Sequence, residues 1–451
     1  MIAFLLAGYA TPTTAATVRV YHVEPLPFLP GGSYMIPIAI NANGDVAGSG
    51  IAADGRIHAY RWSATSGLED LGRYGVSSMA WGMNDNGDVV GTSWDADFPH
   101  PFIAPRGGVV TDLMARYPQI LQINDISNDG RMTGFTWQWH AFRTQPDGTF
   151  QELTSNFSFG ARINSSGQVA GVIWGDAAMT EPRHAFRYTE SDGLVDLGTL
   201  HGGWSGATAI NSSAVVAGWS GGGPENVPTR AFRLKPGEPM QDLGVLPWGF
   251  MGGAPAAYAI NAAGDVVGAT DGWLSWTPFL YTDADGMIDL RFHVTTADRL
   301  TVSIDSAYGI NSSGQIVASG AIGYGYGTAR LTPFEREFGG PVASPTVDNP
   351  VLSPPDNRMV MVSVDPHVTD EFDPEPVCRI THVVNSEGPA EGPDPDVSID
   401  YFLSVQLRAT RLGSGPGRTY TLELSCSDKL GVTSVTDVVV TVPHDRGQSQ
   451  P

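Results

Sequence analysis

The sequence predicts an all-β protein: a seven-bladed β-propeller closed by an N-terminal strand and followed by a small β-sandwich. One motif recurs seven times between residues 38 and 320. The 55 glycines and 33 prolines are typical of many short strands joined by tight turns. A chain of 451 residues is long enough for one large repeat array and one further domain.

The first element of each repeat is a turn of the form I-N-x-x-G-[DQ]-V-V-G. Asn and Gly accept a positive φ at little cost, and the β-branched run that follows favours a strand. Successive turns are 43, 43, 37, 47, 50 and 50 residues apart, which is the length of a four-stranded propeller blade. The first turn residues are Asn41, Asn84, Ser127, Asn164, Asn211, Asn261 and Asn311.

Two further motifs follow each turn. One reads H-A-F-R at residues 140–143 and 184–187 and is degenerate in the seventh repeat, at Thr328-Ala-Arg-Leu. The other is an acidic residue followed by Leu, and it occurs only six times after the seven turns. Residues 23–33 resemble residues 195–205 in the placement of apolar residues and glycines. The N-terminus is therefore predicted to supply the missing strand and to close the ring.

Over residues 23–334 the repeats resemble the extracellular bacterial repeat family that is named for its His-Ala-Phe motif. The resemblance implies a propeller-like array in an exported bacterial protein, and it implies no activity. The seventh repeat departs from the pattern, as does the fifth, in which Ala214 replaces the turn glycine. Both repeats are still expected to form blades.

Export is predicted from residues 1–16, an apolar stretch with a small-residue cleavage site, which resembles a secretory signal without its basic start. No later stretch approaches 18 apolar residues, so no membrane span is predicted. The net charge is −22, and the only lysines are Lys235 and Lys429. Such a surface repels nucleic acid and anionic membranes, so neither is an expected partner.

The predicted layout is a signal remnant (1–16), the propeller (17–338), a Pro-rich linker (339–355) and an immunoglobulin-like sandwich (356–445). Cys378 and Cys426 are expected to form a disulfide that links the two sheets of the sandwich. The acidic loop 370–375 could bind calcium, although a solvated loop is the favoured interpretation. No cofactor is therefore predicted.

Tryptophan is the best candidate for a functional side chain. Trp94, Trp137 and Trp174 each follow a repeat glycine by three residues, which predicts that their rings lie on one side of the propeller or between its blades. Packing is the favoured role, and a platform for sugar rings is the alternative. The candidate binding residues are Trp94, Trp137, Trp139, Trp174, Trp219 and Trp273.

The repeated histidines and acidic residues are expected to be structural. His58, His100, His140 and His184 share one repeat position, where a hydrogen bond within the blade is favoured over a ring of metal ligands. The carboxylates before the motif leucines are expected to accept backbone N–H groups in turns.

These observations favour a non-catalytic, monomeric, secreted or cell-surface protein that recognises a glycan or an extracellular protein with one propeller face. The alternative is a carbohydrate-active enzyme, either a glycoside hydrolase or a polysaccharide lyase, whose non-repeated ionisable residues converge at the channel mouth. A purely structural envelope component is a third reading. The residues relevant to catalysis would be Asp95, Asp97, Asp176, Glu181, His201 and Glu225.

Overall fold

The computed structural model describes residues 15–72, 76–95, 98–175, 182–222, 227–246, 254–271, 276–388, 396–413 and 417–444. Within these ranges the chain is all-β apart from one short helix, α1 (Thr296–Arg299). The chain divides into a larger unit, Val20–Phe334, and a smaller unit that contains the residues from Glu335 onward. The predicted signal remnant lies almost wholly outside the described residues.

The described part of the larger unit forms seven four-stranded sheets. In the first six, four consecutive strands pair in sequence order. Sheet 1 contains β2 (Met35–Ile40), β3 (Val46–Ile51), β4 (Ile57–Ser63) and β5 (Gly67–Asp70). Sheet 2 contains β6 (Ser77–Met83), β7 (Val89–Trp94), β8 (Pro99–Ala104) and β9 (Thr111–Asp112). Sheet 3 contains β10 (Ile120–Ile126), β11 (Met132–Thr136), β12 (Ala141–Thr144) and β13 (Phe150–Glu152).

Sheet 4 contains β14 (Ser158–Ile163), β15 (Val169–Trp174), β16 (Arg183–Thr189) and β17 (Gly193–Asp196). Sheet 5 contains β18 (Trp204–Ile210), β19 (Val216–Gly222), β20 (Val227–Leu234) and β21 (Gln241–Asp242). Sheet 6 contains β22 (Ala254–Ile260), β23 (Val266–Asp271), β24 (Trp276–Thr282) and β25 (Gly286–Asp289). Sheet 7 combines β26 (Val302–Ile310), β27 (Ile316–Ile322) and β28 (Gly325–Phe338) with β1 (Ala16–Pro25), in the order β1-β28-β27-β26. The predicted N-terminal strand of the last sheet is therefore present.

The register of sheet 7 differs by one residue from the predicted alignment. In sheet 4 the amide of Leu197, in the acid-Leu motif, donates to the carbonyl of Ala185 at 2.9 Å. In sheet 7 the amide of Leu26 donates to the carbonyl of Thr328 at 2.9 Å. Leu26 therefore occupies the place of the motif leucine rather than that of Gly198, and Thr328 occupies the second position of the H-A-F-R motif rather than the first. Strand hydrogen bonds fix this register.

Side-chain amides join the turns of neighbouring sheets. The Nδ2 group of Asn41 donates to the carbonyl of Asn84 at 3.3 Å, and the same bond recurs between most successive turns. At the junction of sheets 3 and 4 the turn residue is Ser127. Here Asp125 Oδ2 instead accepts the amide N–H of Ile163 at 3.0 Å. At least one side-chain hydrogen bond therefore joins the turns at each of these junctions.

Buried arginines form a second set of links. Arg143 and Arg233, the last residues of their H-A-F-R motifs, are among the largest fully buried side chains. Each donates an Nη1 hydrogen bond to the carbonyl of the turn glycine in the next sheet, Gly167 at 2.9 Å and Gly264 at 2.8 Å. Arg61 and Arg330 make the same bond, so these four arginines are structural residues.

The smaller unit contains two larger sheets around a shared apolar core. One has the order β30-β31-β35-β34 and the other β33-β36-β37, while β29 pairs with β32. The strands are β29 (Val342–Ala343), β30 (Thr346–Val347), β31 (Met359–Asp365), β32 (Val368–Thr369), β33 (Val377–Asn385), β34 (Val397–Tyr401), β35 (Ser404–Arg408), β36 (Gly417–Ser427) and β37 (Thr433–Pro443). Two of these strands, β29 and β30, fall within the predicted linker.

Cys378 and Cys426 form the predicted disulfide. Its predicted position between two sheets is wrong. The two cysteines lie directly opposite each other on β33 and β36, which are hydrogen-bonded neighbours in one sheet. The alternation that buries Leu422 and Leu424 also buries Cys426 on the core side, so the disulfide links adjacent strands within the shared core.

Candidate functional site

The candidate site lies along one edge of the seven sheets. In each sheet the first strand begins, the second ends and the third begins at the edge opposite the Asn turns. We call this the aromatic edge. Trp94 and Trp174 end second strands, whereas Trp204 and Trp276 begin a first and a third strand. Of the three tryptophans predicted to share one register, Trp94 and Trp174 thus end their strands at the same edge.

The repeated histidines lie on the aromatic edge and are hydrogen-bonded within their own sheets. Nδ1 of His184 is 2.8 Å from Oδ2 of Asp196 on the neighbouring strand. The corresponding separations are 2.9 Å for His58, 2.8 Å for His100 and 3.3 Å for His140. These bonds confirm the structural role expected of the histidines.

The motif carboxylates also hold the turns that follow them. Asp196 Oδ1 accepts the amide N–H of Gly198 at 2.8 Å, and Asp70 accepts that of Gly72 at 2.8 Å. His100 also contacts Asp95, with Nε2 2.9 Å from Oδ2. Hydrogen bonds that the imidazole donates to both carboxylates, with the bond to Asp112 the stronger, raise the pKa of His100 above its ordinary value.

Five aromatic rings of sheets 3 and 4 form a contiguous cluster on this edge. The ring of Trp139 stacks on Phe135, with centroids 5.2 Å apart, and meets Phe159 edge-on at 5.5 Å. Phe159 in turn meets Trp174 edge-on at 5.2 Å. Phe157 stacks on the Trp139 ring at 6.3 Å. The cluster thus joins two tryptophans that the sequence singled out.

Trp139 is the most exposed member of this cluster. Its side chain is 40% exposed, and its backbone adopts φ = 62°, which is costly for any residue other than glycine. Its carbonyl accepts the amide of Ser158 at 2.8 Å, which fixes the turn against sheet 4. The fold therefore holds a large apolar ring at the surface in a strained conformation.

A cation extends the cluster toward sheet 5. Trp174 and Arg183 are cross-strand partners on β15 and β16. The Arg183 guanidinium lies between two rings, 4.8 Å from the centroid of Trp204 and 4.9 Å from that of Trp219. Its Nε atom is buried without a hydrogen-bond partner, and burial lowers the pKa of the group. We call this whole set the aromatic band: Phe135, Trp139, Phe157, Phe159, Trp174, Arg183, Trp204 and Trp219.

Trp94 and Trp137, two of the other predicted tryptophans, are not members of the band. Trp94 is partly buried and pairs with Ser77 and Pro99 across its sheet. Trp137 is 38% exposed, two residues before Trp139. Trp273 lies outside the described residues, as do the candidate catalytic residues Asp97, Asp176, Glu181 and Glu225.

The first strand of each sheet contains a side chain that the sequence analysis missed. The third residue before each Asn turn is half-buried in every sheet, and unlike the turn itself it varies from repeat to repeat. A repeat alignment read for its variable positions would have found it. These residues are Ile38, Trp81, Asn124, Ala161, Thr208, Tyr258 and Tyr308.

Two cavities lie among these first strands. One, of about 280 Å³, is lined by the Asn turns of all seven sheets and by Asp125. Burial raises the pKa of Asp125 to about 6, against the opposing charge of Arg162 in the next sheet. The other, of about 350 Å³, lies among sheets 7, 1 and 2 and is lined mainly by apolar and aromatic side chains.

A metal site is not evident in the described parts of the chain, where no group of three or more His, Cys, Asp or Glu residues could hold an ion. The acidic loop 370–375, considered for calcium, has another partner. Asp373 is buried and accepts a hydrogen bond from Lys429 Nζ at 2.9 Å. The Lys429 ammonium group therefore already pairs with the buried carboxylate of Asp373.

No helix among the described residues is long and apolar enough to cross a bilayer.

Comparison with known proteins returned no matching family model and no matching curated protein. A solved structure of a candidate gluconolactonase is 10% identical, with 73% of this chain and 95% of that chain covered and a TM-score of 0.33. AofleA from Arthrobotrys oligospora is 10% identical, with 71% of this chain and 86% of that chain covered and a TM-score of 0.30. A triple arginine-to-alanine variant of AofleA is 11% identical, with 71% of this chain and 87% of that chain covered and a TM-score of 0.31. At these values the similarities indicate neither an activity nor a ligand.

Proposed function

We propose that this chain is a secreted binding protein whose larger unit, a closed seven-bladed propeller, recognises a glycan at the aromatic band. The observation that carries the proposal is the Trp139 ring, exposed at the surface in a strained backbone conformation. A fold that needed only apolar filling would bury this ring, since exposed apolar area contributes nothing to stability.

A glycan suits the band better than a flat protein surface does. The apolar face of a sugar ring packs on an aromatic ring, while its hydroxyls need hydrogen-bonding groups close by. His140 follows Trp139 directly and is hydrogen-bonded to Glu152. Arg183 adds a cation at the other end of the Trp139–Trp174 cluster. The band therefore combines apolar faces with polar groups along their margin.

The proposed compartment and architecture have independent support. The Cys378–Cys426 disulfide favours an oxidising environment outside the cytosol. The seven sheets and the side-chain links between them support the propeller, and the resemblance to the His-Ala-Phe repeat family is consistent with export. We assign the smaller unit to an immunoglobulin-like accessory module because its two sheets share one core.

The test is a glycan array of neutral and acidic polysaccharides probed with the intact chain, coupled to product analysis on every polysaccharide that binds. We expect binding to a restricted set of glycans without any shortening of the polymer. Absence of binding across the array would contradict the proposal. Shortened products would replace it with the alternative, a carbohydrate-active enzyme.

A further inference from the structure

We call the space among the first strands of the seven sheets the channel. The variable position, three residues before each Asn turn, divides the wall of this channel into two halves. In sheets 6, 7, 1 and 2 the residue is large and apolar or aromatic, whereas in sheets 3, 4 and 5 it is small or polar. The rings of Tyr258 and Tyr308 stack with centroids 5.5 Å apart and continue the first half. One side of an otherwise repetitive channel is therefore chemically distinct.

The 350 Å³ cavity lies against this apolar half. Its wall includes Ile36, Ile38, Met79, Trp81 and Tyr308. Ser49, Gly50 and Ile57, from the aromatic-edge ends of sheet 1, also line it. The volume falls within the range of roughly 300–1,000 Å³ that is typical of small-molecule sites.

The lining excludes a charged ligand. It contains no Asp, Glu, Lys, Arg or His side chain to pair with an ionised group. Burying an unpaired charge in such a site is strongly unfavourable. Among the polar groups of the wall, Ser49 Oγ accepts the amide N–H of Ala80 at 3.1 Å, whereas the Trp81 Nε1–H is buried without a hydrogen-bond partner. The wall is therefore chiefly apolar and aromatic, with few polar atoms that could pair with a ligand.

We infer that the channel between sheets 7, 1 and 2 binds an uncharged, chiefly apolar small molecule, at a site distinct from the aromatic band. Six of the side chains that line it are only partly buried: Ile36, Ile38, Ile57, Met79, Trp81 and Tyr308. An apolar ligand that filled the cavity would complete their burial, and each buried methylene would contribute about 0.8 kcal/mol.

The test uses N-phenyl-1-naphthylamine, an uncharged apolar fluorophore, titrated into the intact chain. The variant Ile38→Trp fills the cavity, and the backbone tolerates this residue because Trp81 occupies the same repeat position in sheet 2. Ala161→Trp introduces the same ring at that position on the opposite half of the channel and serves as the control. Thermal unfolding verifies that both variants fold.

We expect the wild type and Ala161→Trp to bind the probe with similar affinity, and Ile38→Trp to bind it at least tenfold more weakly. Ile38→Trp should keep the wild-type profile on the glycan array, which separates this site from the proposed function. Probe binding that is unchanged in Ile38→Trp, or equally weakened in both variants, would overturn the inference. So would absence of binding to the wild type.

Discussion

The side-chain amide of Asn311 donates a hydrogen bond of 3.0 Å to the backbone carbonyl of Asn41, 270 residues earlier in the chain. Together with the pairing of β1 and β28, this bond joins the last sheet of the larger unit to the first. The same residue type makes the same bond between neighbouring repeats, so closure uses the ordinary contact of the array.

Replacing Asn311 with alanine tests the contribution of that closure. The change removes the donor to Asn41, whose carbonyl then accepts only the amide of Gly44, and it leaves the amides of Ser313 and Gln315 without the Asn311 oxygen that accepts them. We therefore expect the free energy of unfolding to fall by about 1–2 kcal/mol. All 11 tryptophans precede residue 277, so their fluorescence reports unfolding of the larger unit alone. The control is Ser312→Ala, an exposed position in the same turn. Equal stability of the two variants would refute the closure role.

The fifth turn contains a residue that is poorly suited to it. Ala214 adopts φ = 60°, at the position where the next repeat has Gly264 with φ = 91°. Ala214→Gly should therefore raise the stability of the larger unit by about 0.5–1 kcal/mol, because the left-handed conformation is costly for alanine. Gly264→Ala, the reciprocal change, should lower it by at least as much. Urea unfolding followed by tryptophan fluorescence measures both, and a loss of stability in Ala214→Gly would contradict the explanation.

Asp125 makes the stability of the larger unit depend on pH. Its folded pKa of about 6 exceeds the ordinary value of 3.8, so the folded state binds the proton more tightly. Stability should therefore fall as pH rises from about 4 to 6, by up to about 3 kcal/mol. Asp125→Asn, which stays neutral and can still accept the Ile163 amide, should lose this dependence. The measurement is urea unfolding at pH 4, 5, 6 and 7. A stability difference between the two proteins that stays constant over this range would exclude the effect.

The disulfide should stabilise the smaller unit only. Its two cysteines are 48 residues apart, and a closed loop of this length corresponds to about 4 kcal/mol of stabilisation. The double replacement Cys378→Ala and Cys426→Ala should lower the calorimetric transition of the smaller unit. Tryptophan fluorescence should show an unchanged larger unit, which provides the internal control. Unchanged calorimetry would mean that strand pairing alone holds β33 and β36 together.

The repeating features of the fold could be predicted from the sequence because each repeat presents the same turn, strand and motif chemistry. The closing strand followed from counting acid-Leu motifs. The register of sheet 7 could not be predicted, because Leu26 lacks the acid-Leu motif, Thr328 lies in a degenerate copy of the H-A-F-R motif, and only hydrogen bonding fixes their alignment. The disulfide pairing was predictable from two cysteines, but its place within one sheet depends on strand order.

The candidate site was predictable only in part. Strand periodicity placed the tryptophans on one side, since equivalent positions in a repeat share one environment. The clustering of Trp139 with Trp174 depends on Phe157 and Phe159, which fall outside any repeated pattern. The channel residues were missed because they vary among repeats, and a search for shared motifs passes over such positions. Both proposed sites therefore depend on positions at which the repeats differ.

The most direct test of glycan recognition is isothermal titration of the strongest array glycan into wild type, Trp139→Ala and Trp276→Ala. Trp276 is 47% exposed on the same edge but lies in sheet 6, away from the aromatic band, and so it is a matched control. Loss of one stacking ring should weaken binding at least tenfold in Trp139→Ala, while Trp276→Ala should bind as the wild type does. Wild-type affinity in Trp139→Ala, or an equal loss in both variants, would contradict recognition at the aromatic band.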